Sequence, residues 1–357
     1  MSRTAKRIIL HAGLHKTGTT AIQDTLAAGN EELMSQGWKY PIFTDIEQIK
    51  IVNHSSVLYT LFCDDPSSYL PNLIAGVDGE AARQLFNDQL QAELESDYNL
   101  ILSGEDVSAL PEHALRKLAN ALAEYELEVV VVVREAYSYL CSHLQHRIHR
   151  GMHGIQLAMP SLRRHCVRLA HAFPSIQFLS YEQACNSSGG VFASFMSACG
   201  LDPSRLKAIE ANVSIGNHTA RFLASFNEHF PLMINNKPNP GRPVFDIYQL
   251  DFDPFKFALT REEFENVKDR VRAENEALSL VTGLTLEGQG TPRFSDEHPF
   301  TLELALALLE KASAMPEALM NHSFRYVADQ KLGPVVWEKL TMPTSTQRRF
   351  PKFWKRS

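Results

Sequence analysis

The sequence predicts an α/β protein: a doubly wound parallel sheet flanked by helices, followed by a mainly helical C-terminal part. Three observations predict it. Short apolar runs at Arg7–Ala12, Tyr98–Ser103, Glu128–Val133 and Ile176–Ser180 each give way to a helical pattern, and strands alternating with helices imply βαβ units. The Glu128–Val133 run is continuous rather than alternating, as a strand covered on both faces should be. After about Asn217 the strand signals cease and helical periodicity takes over.

In order, the first strand runs into the loop Gly13-Leu14-His15-Lys16-Thr17-Gly18-Thr19-Thr20 and then a helix with Ile22, Leu26 and Leu33 on one side. The second strand precedes a helix expected from Asp106 to about Glu126, with Ser103 and Asp106 spaced as a capping box. The third leads directly into a helix over Ala136–Arg150, and the fourth precedes a helix near Gly190–Cys199. Residues 1–217 form the expected core, and 218–346 the helical part. Within the latter, 235–254 carries Pro238, Pro240, Pro243 and Pro254 and reads as a long ordered loop or lid. Thr260–Val281 is expected as one long helix, with Thr260 as N-cap and Glu263 completing a capping box. No internal repeat is present.

Composition excludes several classes. With 357 residues, 44% of them apolar and 21% charged, the chain is long enough to bury a full core. No run approaches the roughly eighteen apolar residues of a membrane-spanning helix. The balance of 35 Lys+Arg against 41 Asp+Glu, a net charge of −6, argues against a nucleic-acid partner and makes any anion site local. The five cysteines, Cys63, Cys141, Cys166, Cys185 and Cys199, are odd in number and contain no Cys-x-x-Cys pair, which points to packed, reduced thiols. Met1–Arg7 looks like the start of a signal segment, but the apolar stretch behind it lasts only from Ile8 to Leu10, so cytoplasm is the expected compartment. Residues 347–357 differ from the rest: Gln347–Arg356 holds five basic and three aromatic residues, a tail expected to be frayed or docked on another subunit, with an anionic membrane as the alternative. Nothing sets the oligomeric state.

The first loop is the sharpest chemical signal. A loop between a strand and a helix N-terminus presents unpaired backbone N–H groups and the positive end of the helix dipole. Gly13 and Gly18 let the backbone turn closely around a phosphate, Lys16 adds a charge, and Thr17, Thr19 and Thr20 add hydroxyls. The plain structural alternative is an ordinary Gly-rich turn with a solvated lysine. The loop is not a Walker A motif, because Thr19 rather than lysine follows Gly18 and the lysine stands two positions before that glycine.

Leu14-His15-Lys16-Thr17-Gly18-Thr19-Thr20 after a first strand resembles the 5′-phosphosulfate loop of sulfotransferases that use 3′-phosphoadenosine 5′-phosphosulfate (PAPS), a P-loop-like family, and especially its bacterial members. The resemblance implies that Lys16 contacts the 5′-phosphate and bridging oxygen, with His15, Thr17, Gly18, Thr19 and Thr20 in the phosphate-binding turn. The family reads the 3′-phosphate with an arginine at a strand end and a serine eight residues on. Here these are Arg134 and Ser142, with Ser138 one turn earlier as a substitute. Phe178-Leu179-Ser180-Tyr181-Glu182 resembles the segment that brings a tyrosine to the adenine, although Tyr181 as plain core fits equally. Phenol-acting members often carry Trp after the two threonines; this chain has Ala21, as carbohydrate-type members also lack it. The resemblance covers residues 7 to about 220.

What it implies is transfer of a sulfuryl group from PAPS, leaving 3′-phosphoadenosine 5′-phosphate (PAP), to a hydroxyl or amine of a small-molecule or glycan acceptor, with no metal. Two residues qualify as the base that takes the acceptor proton. Glu105, in Ser103-Gly104-Glu105-Asp106, follows a strand end where ligands of open α/β sheets bind. His54, in Asn53-His54-Ser55-Ser56, is a natural base near neutral pH. Glu105 merely favouring a helix dipole, and His54 as a structural histidine, are the alternatives. His143, His146, His149 and His153 stand at spacing three to four, but without a carboxylate or cysteine to complete a zinc set they read as a basic face. A kinase or nucleotide hydrolase is the second functional reading, and a non-catalytic nucleotide binder the third.

Overall fold

The computed structural model describes residues 6–159, 161–209, 214–235, 237–286 and 293–341. The chain divides into two compact units, one from Met1–His143, Leu157–Val213 and Glu263–Pro292, the other from Leu144–Gln156, Ser214–Glu262 and Arg293–Ser357. The units therefore interleave along the sequence, where a single cut near Asn217 was expected.

The first unit is α/β. Its central sheet has five parallel strands, β1 (Arg7–His11), β2 (Trp38–Lys39), β3 (Asn99–Ser103), β4 (Glu126–Val133) and β5 (Ile176–Ser180), in the order β2-β3-β1-β4-β5. Alternation along the strands builds two cores. Ile8, Leu10, Leu100, Leu102, Val129, Val131 and Val133 join one buried cluster, while Ile9, Ile101 and Val130 join another. Leu115 and Leu118, with Leu162, Cys166 and Leu169 of α3 (Leu162–Ala172), complete the first. Ile22 and Leu26 of α1 (Thr19–Ala28), with Phe192 and Phe195, complete the second. This is the doubly wound sheet expected from the strand–helix alternation. Helix α2 (Ala136–His149) leaves β4 after two residues.

Local departures have local causes. The helix expected from Asp106 is a short 3₁₀ turn, Asp106–Ala109, followed by a helix over Glu112–Ala121. Pro111 separates them, since it lacks an N–H and disfavours helical geometry before it. The Ser103 side chain does not cap that segment. The Asp106 N–H instead donates to Ser55 Oγ at 3.1 Å. The long helix expected over Thr260–Val281 is broken into Arg261–Glu265 and Lys268–Thr282, because Val267, buried and at φ −127°, leaves helical geometry between them. β2 was not anticipated, since two residues carry no periodic pattern.

The second unit is mainly helical. α4 (Asn217–His229), α5 (Leu302–Ala312) and α6 (Glu317–Asp329) carry an aromatic core in which Phe222 packs edge-on against Phe252 and Tyr326, and Phe226 against Phe245. The Pro-rich stretch contains part of a small antiparallel hairpin, Met233–Ile234 with Lys237–Pro238, and a helical turn at Ile247–Leu250. Asp253, buried, accepts from the His218 N–H at 2.6 Å and so caps α4. No helix among the described residues is long and apolar enough to cross a membrane. The basic-aromatic tail, 347–357, lies outside the described residues.

Gly216, at the N-cap of α4, lies against Asp253 so closely that an added Cβ would stand 1.9 Å from the Asp253 carbonyl oxygen. Gly216→Ala is therefore expected to destabilise the protein by about 3 kcal/mol, read as a lower urea midpoint at unchanged slope. An unshifted midpoint would remove this contact from the account.

Candidate anion site at the carboxyl edge of the sheet

β1 pairs with β3 and β4 in parallel register, His11 opposite Ser103 on one side and Val130 on the other. The ladder continues past the strand ends, with Ala12 N–H donating to Val130 O at 3.2 Å and Gly104 N–H to His11 O at 3.1 Å. Three loops thus leave the sheet side by side: Gly13–Gly18 after β1, Gly104-Glu105 after β3 and Arg134-Glu135 after β4. Carboxyl ends of parallel strands are where open α/β sheets hold ligands.

The first loop ends on Gly18, the N-cap of α1, at φ 82°, which glycine adopts without strain. Gly18 supplies no side-chain cap and the first turn of α1 holds no acidic residue, so the helix itself places no anion at its own amides. Lys16 is also left-handed, at φ 66°, a conformation disfavoured for any residue with a Cβ. Thr17 is buried and donates its hydroxyl proton to Leu14 O at 2.6 Å, so this side chain braces the turn rather than facing a ligand. Thr19 is buried 3.4 Å from Thr17 Oγ1, and Thr20 is half-buried.

His15 stands between two carboxylates, Nδ1 2.7 Å from Glu105 and Nε2 3.2 Å from Asp106. Both ring nitrogens donate, which requires the doubly protonated ring. Hydrogen bonds to Asp106 first and Glu105 second raise its pKa to about 9, against the cost of partial burial. Burial opposes the charge on Asp106, but hydrogen bonds from His15 and Tyr69 more than offset it and hold its carboxyl below the ordinary range. The Tyr69 hydroxyl, which donates to Asp106, is raised above its usual value by burial first and then by that carboxylate.

A buried polar layer lies beneath. His11 Nδ1 is 2.9 Å from Ser103 Oγ, and Gln23 Nε2 donates to Ser103 Oγ at 3.1 Å and to Ser103 O at 3.2 Å. His11 Nε2 is buried without a partner among the described residues, and the ring lies under Gly13, where an added Cβ would meet its Cε1 at 3.5 Å. His54 belongs to the same layer. It is fully buried, its Nε2–H donates to Pro41 O at 2.7 Å and its Nδ1 accepts from the Ser103 N–H at 3.0 Å. With both nitrogens engaged and the ring stacked on Tyr40, His54 has no face for a substrate. Its role is to brace β3, which corrects the expectation that it is a candidate base. Burial lowers the pKa of both His11 and His54 to about 4.

Arg134 reaches the loop. Its Nη1 donates to Lys16 O at 2.8 Å and its Nε to Ser138 Oγ at 2.9 Å, while the guanidinium lies 4.5 Å from the centre of the Tyr181 ring. The serine it touches is therefore Ser138, not Ser142. Ser142 follows one turn on along the same face of α2. Ser138 donates to Glu182 at 2.6 Å, and that carboxylate lies 4.0 Å from Arg134. The N-terminus of α2 is already filled, because Glu135 accepts from the N–H groups of Tyr137 and Ser138, both at 2.9 Å. Tyr181 sits against Gly18, 3.7 Å from where its Cβ would be.

The structure thus brings together His15, Lys16, Thr19, Thr20, Glu105, Arg134 and Tyr181, with Gly18 as the turn, and sets His54 apart in the layer below. Sequence reasoning missed Asp106, Tyr69, Gln23, His11 and Glu182. Asp106 and Glu182 adjoin residues singled out from the sequence; Tyr69 had no local signal. The four histidines of the α2 region form no metal cluster among the described residues. No protein-family model matches the chain, and no curated protein matches it.

His54→Ala is expected to lower stability by about 3 kcal/mol, because it leaves the Ser103 N–H and Pro41 carbonyl buried and unpaired; unchanged stability in urea would contradict the bracing role. His15 gives a pH signature of stated sign. Its pKa is raised from an ordinary 6.5 to about 9, so its stabilisation is full below about pH 6.5 and is lost as pH rises through about 9. Parent and His15→Gln should converge in stability over that window. The side chain is 50% exposed, so the amplitude is screened; a gap constant from pH 6 to 10 would refute the ion pairs.

Proposed function

We propose that this protein is a PAPS-dependent sulfotransferase acting on a hydroxyl or amine, a carbohydrate being the favoured acceptor class. The observation that carries the reading is the uncapped N-terminus of α1 beneath a left-handed Gly18 turn, joined to Arg134 at the neighbouring strand end. The residues present fit a doubly anionic nucleotide in that the first turn of α1 has no acid and His11 holds a buried nitrogen under the turn that has no partner among the described residues. The carboxylate of Glu182 beside Arg134 is a departure from a purely basic phosphate cage.

PAPS would bring a sulfuryl group already attached to a good leaving group, so the chain's task is to bind, orient and move one proton. Lys16 and the loop amides stabilise negative charge on the 5′-phosphate, where charge grows during transfer. Arg134 offers the rest of its donor fork to the 3′-phosphate, with Ser138 and Ser142 on the adjoining helix face and Tyr181 as the aromatic wall for the base. Glu105 is the group left to take the acceptor proton, once His54 is assigned to the core. His15 holds Glu105 in place and adds positive charge at the same edge. Four buried thiols and one exposed one, none disulfide-bonded, accord with a reducing compartment, and we assign the protein to the cytoplasm.

Calorimetric titration with PAP tests the reading. Lys16→Ala and Arg134→Ala are each expected to weaken binding by about 2–5 kcal/mol as charge-assisted contacts are lost. Parent-like affinity in both variants, or tighter binding of ATP with Mg²⁺ than of PAP, would overturn it in favour of a kinase or hydrolase.

A further inference from the structure

We propose that Arg134 is a latch that holds the anion loop in its binding shape before any ligand arrives, so that phosphates at the two ends of a bisphosphate nucleotide bind cooperatively. The loop has a conformation to be held. Lys16 stands at φ 66°, where a side-chain-bearing residue is sterically disfavoured, so the backbone around it relaxes unless something restrains it. Beside the Thr17 hydroxyl, which donates to Leu14 O, the restraint that comes from outside the loop is Arg134 Nη1–H, which donates to the Lys16 carbonyl at 2.8 Å.

The arginine is itself fixed from several sides. Its Nε–H donates to Ser138 Oγ at 2.9 Å, its plane lies over Tyr181, and the Glu182 carboxylate stands 4.0 Å from it. Glu182 is anchored in turn by the Ser138 hydroxyl at 2.6 Å and by the Glu135 N–H at 3.2 Å. Side-chain exposure of 17% for Arg134 and 15% for Glu182 places the whole brace largely out of water, where such bonds persist. The fork has five N–H donors, and Nε–H and one Nη1–H are engaged on the protein. A phosphate gripped by the remaining donors fixes the guanidinium further in the position from which it holds Lys16. Ordering at one end therefore lowers the entropy lost at the other, and the coupling is reciprocal.

The cooperativity rests on the bisphosphate reading above; the latch does not, and the experiment separates them. Amide exchange of residues 16–20 is measured in the unliganded parent and in Arg134→Lys, which keeps the charge but loses the planar fork. The latch predicts exchange about tenfold faster there, with Val130–Val132 of β4 unchanged as a control for folding. Glu182→Gln, which loosens the arginine without removing it, should shift exchange in the same direction by less, and serves if Arg134→Lys does not fold. Adenosine 5′-monophosphate, which has no 3′-phosphate for Arg134 to read, should bind Arg134→Lys about tenfold more weakly than the parent. Unchanged exchange, or unchanged affinity for that monophosphate in a protein that binds it, overturns the proposal. Faster exchange in a chain that binds no adenine nucleotide leaves the latch standing and removes the sulfotransferase reading.

Discussion

The site depends on β1 being hydrogen-bonded on both sides in parallel register. Because His11 lies opposite Ser103 and Val130, the loops at residues 13–18, 104–105 and 134–135 all leave at the carboxyl edge of the sheet although far apart in sequence, with β4 running three residues further than β1 and β3. Antiparallel neighbours would send those segments to opposite edges. Ile8 and Leu10 are buried on one face of β1 and Ile9 on the other, so the strand is held in the core from both sides.

Beneath the loops the core turns polar without losing order. Ser103 accepts from Gln23, meets His11 and donates its backbone N–H to His54, so one serine at the end of β3 links α1, β1 and the segment before Ser55. Histidines that burial keeps neutral suit such a layer because each ring supplies one donor and one acceptor. His15, a few residues away and half exposed between two carboxylates, is charged. The contrast between His15 and His54 is one of environment, not of residue type.

The site also sorts charge between two helix N-termini. That of α1 carries no carboxylate in its first turn, whereas that of α2 is filled by Glu135. On the proposed reading, an anion is thereby directed to the first loop. Arg134 lies between, one hand on the loop carbonyl and the other on Ser138, and so concentrates positive charge at this edge of a chain whose overall charge is negative.

Much of this was legible in the sequence, because it rests on local pattern. Periodicity determined four of the five strands and the helices Thr19–Ala28, Ala136–His149 and Gly190–Ala198, whereas the helices Gly79–Glu95 and Leu162–Ala172, which also pack on the sheet, were not anticipated; the glycines of residues 13–20 marked the turn into α1, since turn geometry is a property of a few adjacent residues. Pro111, which divides the segment after Asp106, was not read as a breaker from the sequence, and its effect emerged only from the structure. Tertiary structure alone decided what depends on distant partners: that His54 is a brace rather than a base, that Ser138 rather than Ser142 meets Arg134, and that Tyr69 and Asp106 complete the surroundings of His15. A side chain's chemistry is set by what packs against it, and for His15 and His54 the deciding neighbours, Glu105, Asp106 and Ser103, come from segments tens of residues away, which no local spacing records.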